Sequence, residues 1–252
     1  MKKYLILFFI ASLTLSCSSN STDSNDIDDS VDASTKTPVS VQFTGQNIGL
    51  DLLVFTYNNN GKLLTAEDNS INYVQEYVYS GDRLTGIKNY TNNVLGSQDV
   101  YEYNNGLVSK MLSYNSNILT RTRTYTYSNG VVQSYADDYT NPIRVDEIWD
   151  YEYNQTDNSV KRTNRNSSQT YEITTYDQNK RPFYNLPSRK LLHKASGNTN
   201  SNNIVKIESY FNGSIVSTRT YANTYDSDNF LTSVSIMRNG TIDRTETYTY
   251  NQ

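Results

Sequence analysis

A Tyr-x-Tyr pair returns about every 24 residues along most of this chain, and that period limits the fold more than any other feature. The stretch from Tyr101 to Tyr127, YEYNNGLVSKMLSYNSNILTRTRTYTY, shows the unit: a Tyr-x-Tyr pair, a turn rich in Asn and Gly, a partly apolar segment, a second polar turn, and a run into the next pair. Two turns per unit mean two strands per unit. The second Tyr of each pair, or its equivalent, falls at Tyr57, Tyr79, Tyr103, Tyr127, Tyr153, Tyr176, Tyr225 and Tyr250, at spacings of 22, 24, 24, 26, 23, 49 and 25. The long interval reads as two units, one degenerate. Tandem units of this size cannot bury their own faces and depend on their neighbours.

Periodicity and composition both assign strands. Leu119, Arg121, Arg123, Tyr125 and Tyr127 alternate with Thr120, Thr122, Thr124 and Thr126, and Ile242, Arg244, Glu246, Tyr248 and Tyr250 alternate in the same way with Thr241, Asp243, Thr245, Thr247 and Thr249. Thr and Tyr suit a pleated, half-buried surface. Asn-Gly at Asn60-Gly61, Asn105-Gly106, Asn129-Gly130, Asn212-Gly213 and Asn239-Gly240, with Ser80-Gly81 in the matching place, supplies the positive φ of tight hairpins. The fold class is therefore all-β, an antiparallel meander of hairpin repeats. Residues 39–252, at roughly 12 per strand and turn, give about 16 to 18 strands, and a sheet that wide curls into a barrel or half-barrel. A solenoid of short hairpins is the second choice.

The 23 Tyr are first a structural device, since cross-strand aromatic pairs contribute roughly 0.2–1 kcal/mol each and an exposed Arg over a ring about 0.5–1 kcal/mol. An exposed aromatic surface that stacks on a ligand is the functional alternative. Trp149, the only Trp, lies in phase with Tyr151 and Tyr153, and these three are the candidate contact residues. The period breaks over 180–203, where Pro182 and Pro187 exclude a central strand and Ser188–Ala195 could form two helical turns with Leu191 and Leu192 inward. This insertion, which holds the only His, His193, reads either as a plug for the open end of the sheet or as a grafted site.

Chemistry is thin. One His outside any motif and one Cys leave no catalytic set and no His or Cys metal cluster, so no catalytic residue, metal or cofactor is assigned. Asp137-Asp138 and Asp146-Glu147 are the closest carboxylates, and a two-carboxylate glycan hydrolase needs only such a pair. Without Lys2 and Lys3 the chain has 20 basic and 26 acidic residues, a net of −6 carried largely by five Asp near its start, which leaves no nucleic-acid footprint. Both faces of the clearest strands are polar, unlike the outward apolar band of a membrane-spanning barrel.

Residues 1–16 read as a signal peptide: Lys2 and Lys3, an apolar run from Tyr4 to Leu15, then Ser16. Cys17 follows at once and resembles a bacterial lipobox, which implies lipidation of Cys17, no remaining thiol, and an outer-membrane lipoprotein facing the periplasm or the exterior. Residues 17–38, with Asp23, Asp26, Asp28, Asp29 and Asp32, read as a disordered acidic tether, and Asp29-Ser30-Val31 is similar to an O-glycosylation acceptor, making Ser30 a candidate site.

Tyr-x-Tyr followed by Asn-Gly and Leu or Val, together with Tyr176-Asp177 and Tyr225-Asp226, resembles the YD/RHS repeats of bacterial surface proteins. The segment Tyr176–Ile207 resembles uncharacterised Gram-negative lipoproteins whose repeat domain is described with a porin-like fold. Neither resemblance supplies catalytic residues. Three functional readings stay open: a lipid-anchored, non-enzymatic module binding a glycan or an envelope protein, a structural or assembly component of an envelope complex, and the hydrolase.

Overall fold

The computed structural model describes residues 36–45, 49–140, 145–183 and 202–251. Cys17, Ser30, His193 and the helical turns expected at Ser188–Ala195 lie outside them. Sixteen strands run as an antiparallel meander: β1 (Pro38–Gly45), β2 (Leu52–Tyr57), β3 (Leu63–Asp68), β4 (Tyr73–Ser80), β5 (Arg83–Thr91), β6 (Val94–Asn104), β7 (Leu107–Asn115), β8 (Ile118–Ser128), β9 (Val131–Tyr139), β10 (Glu147–Asn154), β11 (Ser159–Asn164), β12 (Thr170–Lys180), β13 (Asn202–Phe211), β14 (Ser214–Tyr225), β15 (Leu231–Arg238) and β16 (Thr241–Tyr250). Each strand pairs with its neighbours in sequence, and β1 pairs with β16, closing the barrel. The full barrel, within the expected strand count, thus forms instead of a half-barrel. We call the end where β1 begins and β16 finishes the upper rim, and the other the lower rim.

Even strands carry the Tyr-x-Tyr pairs, with both rings in the lumen. The first Tyr of a pair is buried, as at Tyr77, Tyr101, Tyr125 and Tyr151, where each ring contributes about 1.5–3 kcal/mol of burial. The second Tyr, at the upper rim, stands beside a β-bulge in the following odd strand. Thus Tyr57 pairs with Leu63, Tyr79 with Leu84, Tyr103 with Val108 and Tyr127 with Val132, and one residue of each odd strand (Leu64, Thr85, Ser109, Gln133) is extra. The bulge turns the preceding aliphatic residue fully inward, so Leu63, Leu84, Val108 and Val132 are among the most buried side chains. Its carbonyl then accepts the hydroxyl of the next unit's second Tyr. Tyr79 donates to Leu63 O (2.8 Å), Tyr103 to Leu84 O, Tyr127 to Val108 O (2.8 Å) and Tyr153 to Val132 O (2.8 Å). At the seam, Tyr250 donates to Leu231 O (2.7 Å) and pairs with Pro38, whose carbonyl takes Tyr57. Among the described residues the links form a ring round the upper rim, broken between β10 and β14.

Several sequence expectations are corrected. The 49-residue interval adds no further pair of strands to the barrel, because β12 pairs directly with β13 and β13 with β14; the interval is lengthened by the stretch after Lys180. Tyr176 is buried like the first Tyr of a pair, yet it stands opposite Ile204 beside a bulge at Val205, as second tyrosines do, and Asp177 and an exposed Gln178 follow where the ladder with β13 is interrupted. Asn105-Gly106, Asn129-Gly130, Asn212-Gly213 and Asn239-Gly240 have both φ angles positive, as tight hairpins require, but the first two lie at the upper rim and the last two at the lower. At Asn60-Gly61 only the glycine is left-handed; Asn58 organises that longer loop by accepting from Asn60 N and Lys62 N, both at 2.9 Å. Lower-rim bulges at Thr120 and Asp243 remove Leu119 and Ile242 from the inward alternation, pairing them instead with outward Tyr114 and Met237.

The outward face is largely Thr with cross-strand or neighbouring Lys–Glu pairs: Lys88–Glu76, Lys110–Glu102, Lys161–Glu152 and Lys206–Glu208 stand at mid-height. A lipid-spanning band cannot be built from such a wall.

Tyr127→Phe removes one ring link and leaves the Val108 carbonyl without its donor, so denaturant unfolding should show a loss of about 1–3 kcal/mol. Burial also raises the hydroxyl pKa of Tyr127, Tyr153 and Tyr250 well above 10, and that of Tyr176 to about 12. The folded state therefore holds these protons more tightly than the unfolded chain. Their contribution is complete below pH 10 and is lost as pH rises through 12 and beyond. Circular dichroism followed against tyrosinate absorbance should show unfolding that accompanies ionisation.

Candidate functional site

The gap in the tyrosine ring coincides with the features that depart from the repeat. Between β10 and β11 the register is regular, with Tyr153 opposite Val160 and no bulge. The connection there is also longer than the two-residue turn joining β8 to β9. Asn154 shapes it by accepting from Thr156 N (3.0 Å) and donating to Asp157 Oδ2 (2.6 Å), while Asn158 takes a φ of +47°. The two hairpin tips consequently stand apart and enclose an upper-rim cavity of about 450 Å³, within the size range of small-ligand sites. Its lining is rich in side-chain amides, with Asn129, Gln133, Asn154, Gln155 and Asn158 beside Tyr153. Gln133 is the extra residue of the β9 bulge, which is why it is exposed. The Tyr153 hydroxyl is held by Val132 O, so the ring is fixed on the cavity wall.

Of the three candidate contact residues, Tyr153 lines this cavity, while Tyr151 is buried and Trp149 is half-buried against the core further down the same lumenal row. Trp149 donates to Glu147 Oε2 (3.0 Å) and lies under the Arg162 guanidinium, 4.8 Å from its ring centre. Successive tyrosines touch along this sector, with ring centres 6.4 Å apart for Tyr125 and Tyr135, 6.0 Å for Tyr135 and Tyr151, and 6.3 Å for Tyr151 and Tyr153. Arg123 sits 3.8 Å above Tyr135, the arginine-over-tyrosine contact that the composition suggests.

The carboxylates singled out in the sequence are separated by the pleat. Asp137 faces the lumen and Asp138 the solvent. Asp137 is 1% exposed, and both its oxygens are held by Arg123, Nε and Nη2 each at 2.7 Å. Glu147 is directly opposite Asp137 across the strands, and one of its oxygens is taken by Trp149. Asp146 accepts from Tyr139 N (3.3 Å). A carboxylate locked in a bidentate arginine pair is a structural ion and a poor proton carrier.

A second cavity, of about 310 Å³, lies in the lumen where Arg181, Pro182 and Phe183 turn in from β12 against β14–β16. Phe183 meets Phe55 edge-on at 4.8 Å, although their strands lie far apart round the barrel. It adopts a φ of +63°, unusual for a bulky side chain. The start of the insertion therefore bridges opposite walls, as a plug would. Below it, Arg244 donates to Glu246 Oε1 (2.7 Å) and Tyr248 to Glu246 Oε2 (2.6 Å). Tyr225, deprived of the usual carbonyl, donates to Asp177, while Asn223 Nδ2 serves the Ile204 carbonyl at 3.1 Å. Burial, reinforced by the Asp177 carboxylate, pushes the Tyr225 hydroxyl up to about 12.

No protein-family model and no curated protein matches this chain. Among solved structures the barrel is similar to a porin-like protein from Bacteroides vulgatus ATCC 8482, with a TM-score of 0.56 and 14% identity over 86% of this chain and 99% of that one. It is also similar to a porin-like protein from Bacteroides uniformis ATCC 8492, with a TM-score of 0.50, the same identity and the same coverage. At such identity the likeness is one of fold, and it agrees with the porin-like fold implied by the resemblance of Tyr176–Ile207.

If the Arg123–Asp137 pair is structural, Asp137→Ala strands a buried guanidinium and should cost about 3–5 kcal/mol in denaturant unfolding. Replacing both partners, Arg123→Met with Asp137→Leu, should recover most of that loss.

Proposed function

We propose that this chain is a non-enzymatic, lipid-anchored envelope protein that binds a glycan at the upper-rim cavity. The cavity between the β8–β9 and β10–β11 tips carries the reading. Asn129, Gln133 and Gln155 offer side-chain amides there beside the fixed Tyr153 ring, Asn154 and Asn158 hold the longer turn in shape, and among the described residues charged groups contribute none of the lining. Sugar hydroxyls match amides in both directions, and an aromatic face suits the apolar side of a sugar ring. The engagement of Asp137 with Arg123 and of Glu147 with Trp149 weighs against the two-carboxylate hydrolase. The porin-like fold of its neighbours suits an envelope protein, and the lipobox-like Cys17 supplies the anchor.

A polysaccharide array probed with the full chain tests this. A saturable hit should weaken roughly 5-fold on Gln133→Ala, as expected for about one lost hydrogen bond, with unfolding midpoint unchanged. Binding that persists in Trp149→Phe places the ligand at the rim, whereas binding lost there moves it into the lumen. Absence of any saturable glycan sinks the reading.

A further inference from the structure

We infer that the lower rim is a shallow lipid-contact surface, seated on the neutral interface of a bilayer, which turns the upper rim and its cavity towards solvent. The two rims differ in a way the repeat alone does not require. At the lower rim, Ile71, Val94, Ile118, Val145, Ile215 and Ile242 stand at six different hairpins and are between 41% and 79% exposed. Upper-rim tips are built from Asn, Ser, Gly, Asp and Lys, as in Asn58–Lys62, Ser80–Arg83 and Ser128–Gly130. An apolar residue at one tip would be ordinary, but six spaced round one end of a barrel form a crown.

The outer wall above the crown is layered. Tyr90, Tyr114, Tyr171 and Tyr210 face outward next to the lower-rim turns, and Tyr171 and Tyr210 stack with ring centres 4.5 Å apart. The Lys–Glu pairs of mid-height follow. Apolar tips, then amphipathic tyrosines, then charge is the order of polarity met on leaving a bilayer through its interface. Among the described tip residues Asn and Ser flank the crown, as at Asn92-Asn93 and Ser116-Asn117, no Lys occurs, and Arg165 is paired with Asp150, which favours neutral over anionic lipid.

Chain length permits the arrangement. β1 starts at the upper rim, and residues 18–37 can extend at most ~70 Å, whereas strands of 8–12 residues rise only about 26–40 Å. An acylated Cys17 can therefore share the bilayer under the lower rim. Pairing of two crowns would instead point two tethers in opposite directions.

The test uses the full chain with Cys17→Ser, so that one introduced thiol is the only one, labelled with an environment-sensitive fluorophore and mixed with phosphatidylcholine vesicles. The label at Ile118→Cys should shift to the blue and be quenched by brominated lipid, while the label at Asn129→Cys on the upper rim should do neither. Adding Val94→Asn and Ile242→Asn should weaken the Ile118 response roughly 10-fold or more. An unquenched label at position 118, equal quenching at 129, or a crown-dependent dimer in sedimentation without vesicles would each overturn the proposal.

Discussion

The interaction on which this barrel depends is a hydrogen bond between a tyrosine hydroxyl and the carbonyl of the aliphatic residue preceding a bulge in the repeat before it. One residue type does two things there. The ring fills the lumen, and the hydroxyl satisfies a buried carbonyl beside the local irregularity of the bulge, a group that would otherwise cost about 1–3 kcal/mol. Because each link spans two successive units, no unit is complete without its neighbour, and closure follows when Tyr250 meets Pro38 and Pro38 meets Tyr57. The bulges also raise the local twist, which helps sixteen strands close round a filled interior.

This construction reverses the polarity of a membrane-spanning barrel. There the wall is apolar outside and the lumen wet; here tyrosine and aliphatic residues turn inward, and threonine with lysine–glutamate pairs turns outward. Charges that enter the lumen come with partners, as Arg123 with Asp137 and Arg244 with Glu246. A porin-like fold and a pore are separate matters: the same strand count can enclose packed side chains when aromatic residues fill the space and a segment such as Pro182-Phe183 crosses it.

Period, strand type and inward tyrosines were legible because each is a local property repeated many times, so that errors at one unit are outvoted by the others. What the sequence hid lies where repetition fails. Tyr176-Asp177 looks like one more copy of the motif, yet the ladder with β13 is interrupted just after Tyr176 and the Asp177 carboxylate takes the Tyr225 hydroxyl, which nothing in the local sequence announces. Trp149 stood out through its rarity, but its indole belongs to a lumenal cluster with Glu147 and Arg162. The amide-lined cavity rests on a turn-length difference and on Gln133, which only the bulge exposes. Leu119 and Ile242 follow the alternation in sequence, and single extra residues at Thr120 and Asp243 turn them out.

The break in the tyrosine ring also explains where specialisation could arise. A repeat held by reciprocal links resists change in any one unit, since losing a hydroxyl strands a carbonyl in the unit before. Between β10 and β14 that constraint is lifted: β11 has no bulge beside Tyr153, Asn223 and Asp177 replace the usual partners, and the chain can leave the wall after Lys180 without breaking a link. Cavity and plug both occupy this sector because it is the part of the wall that the remaining links do not dictate. The lower rim stands outside this scheme, since the hydroxyl–carbonyl links described above lie at the other end of the barrel.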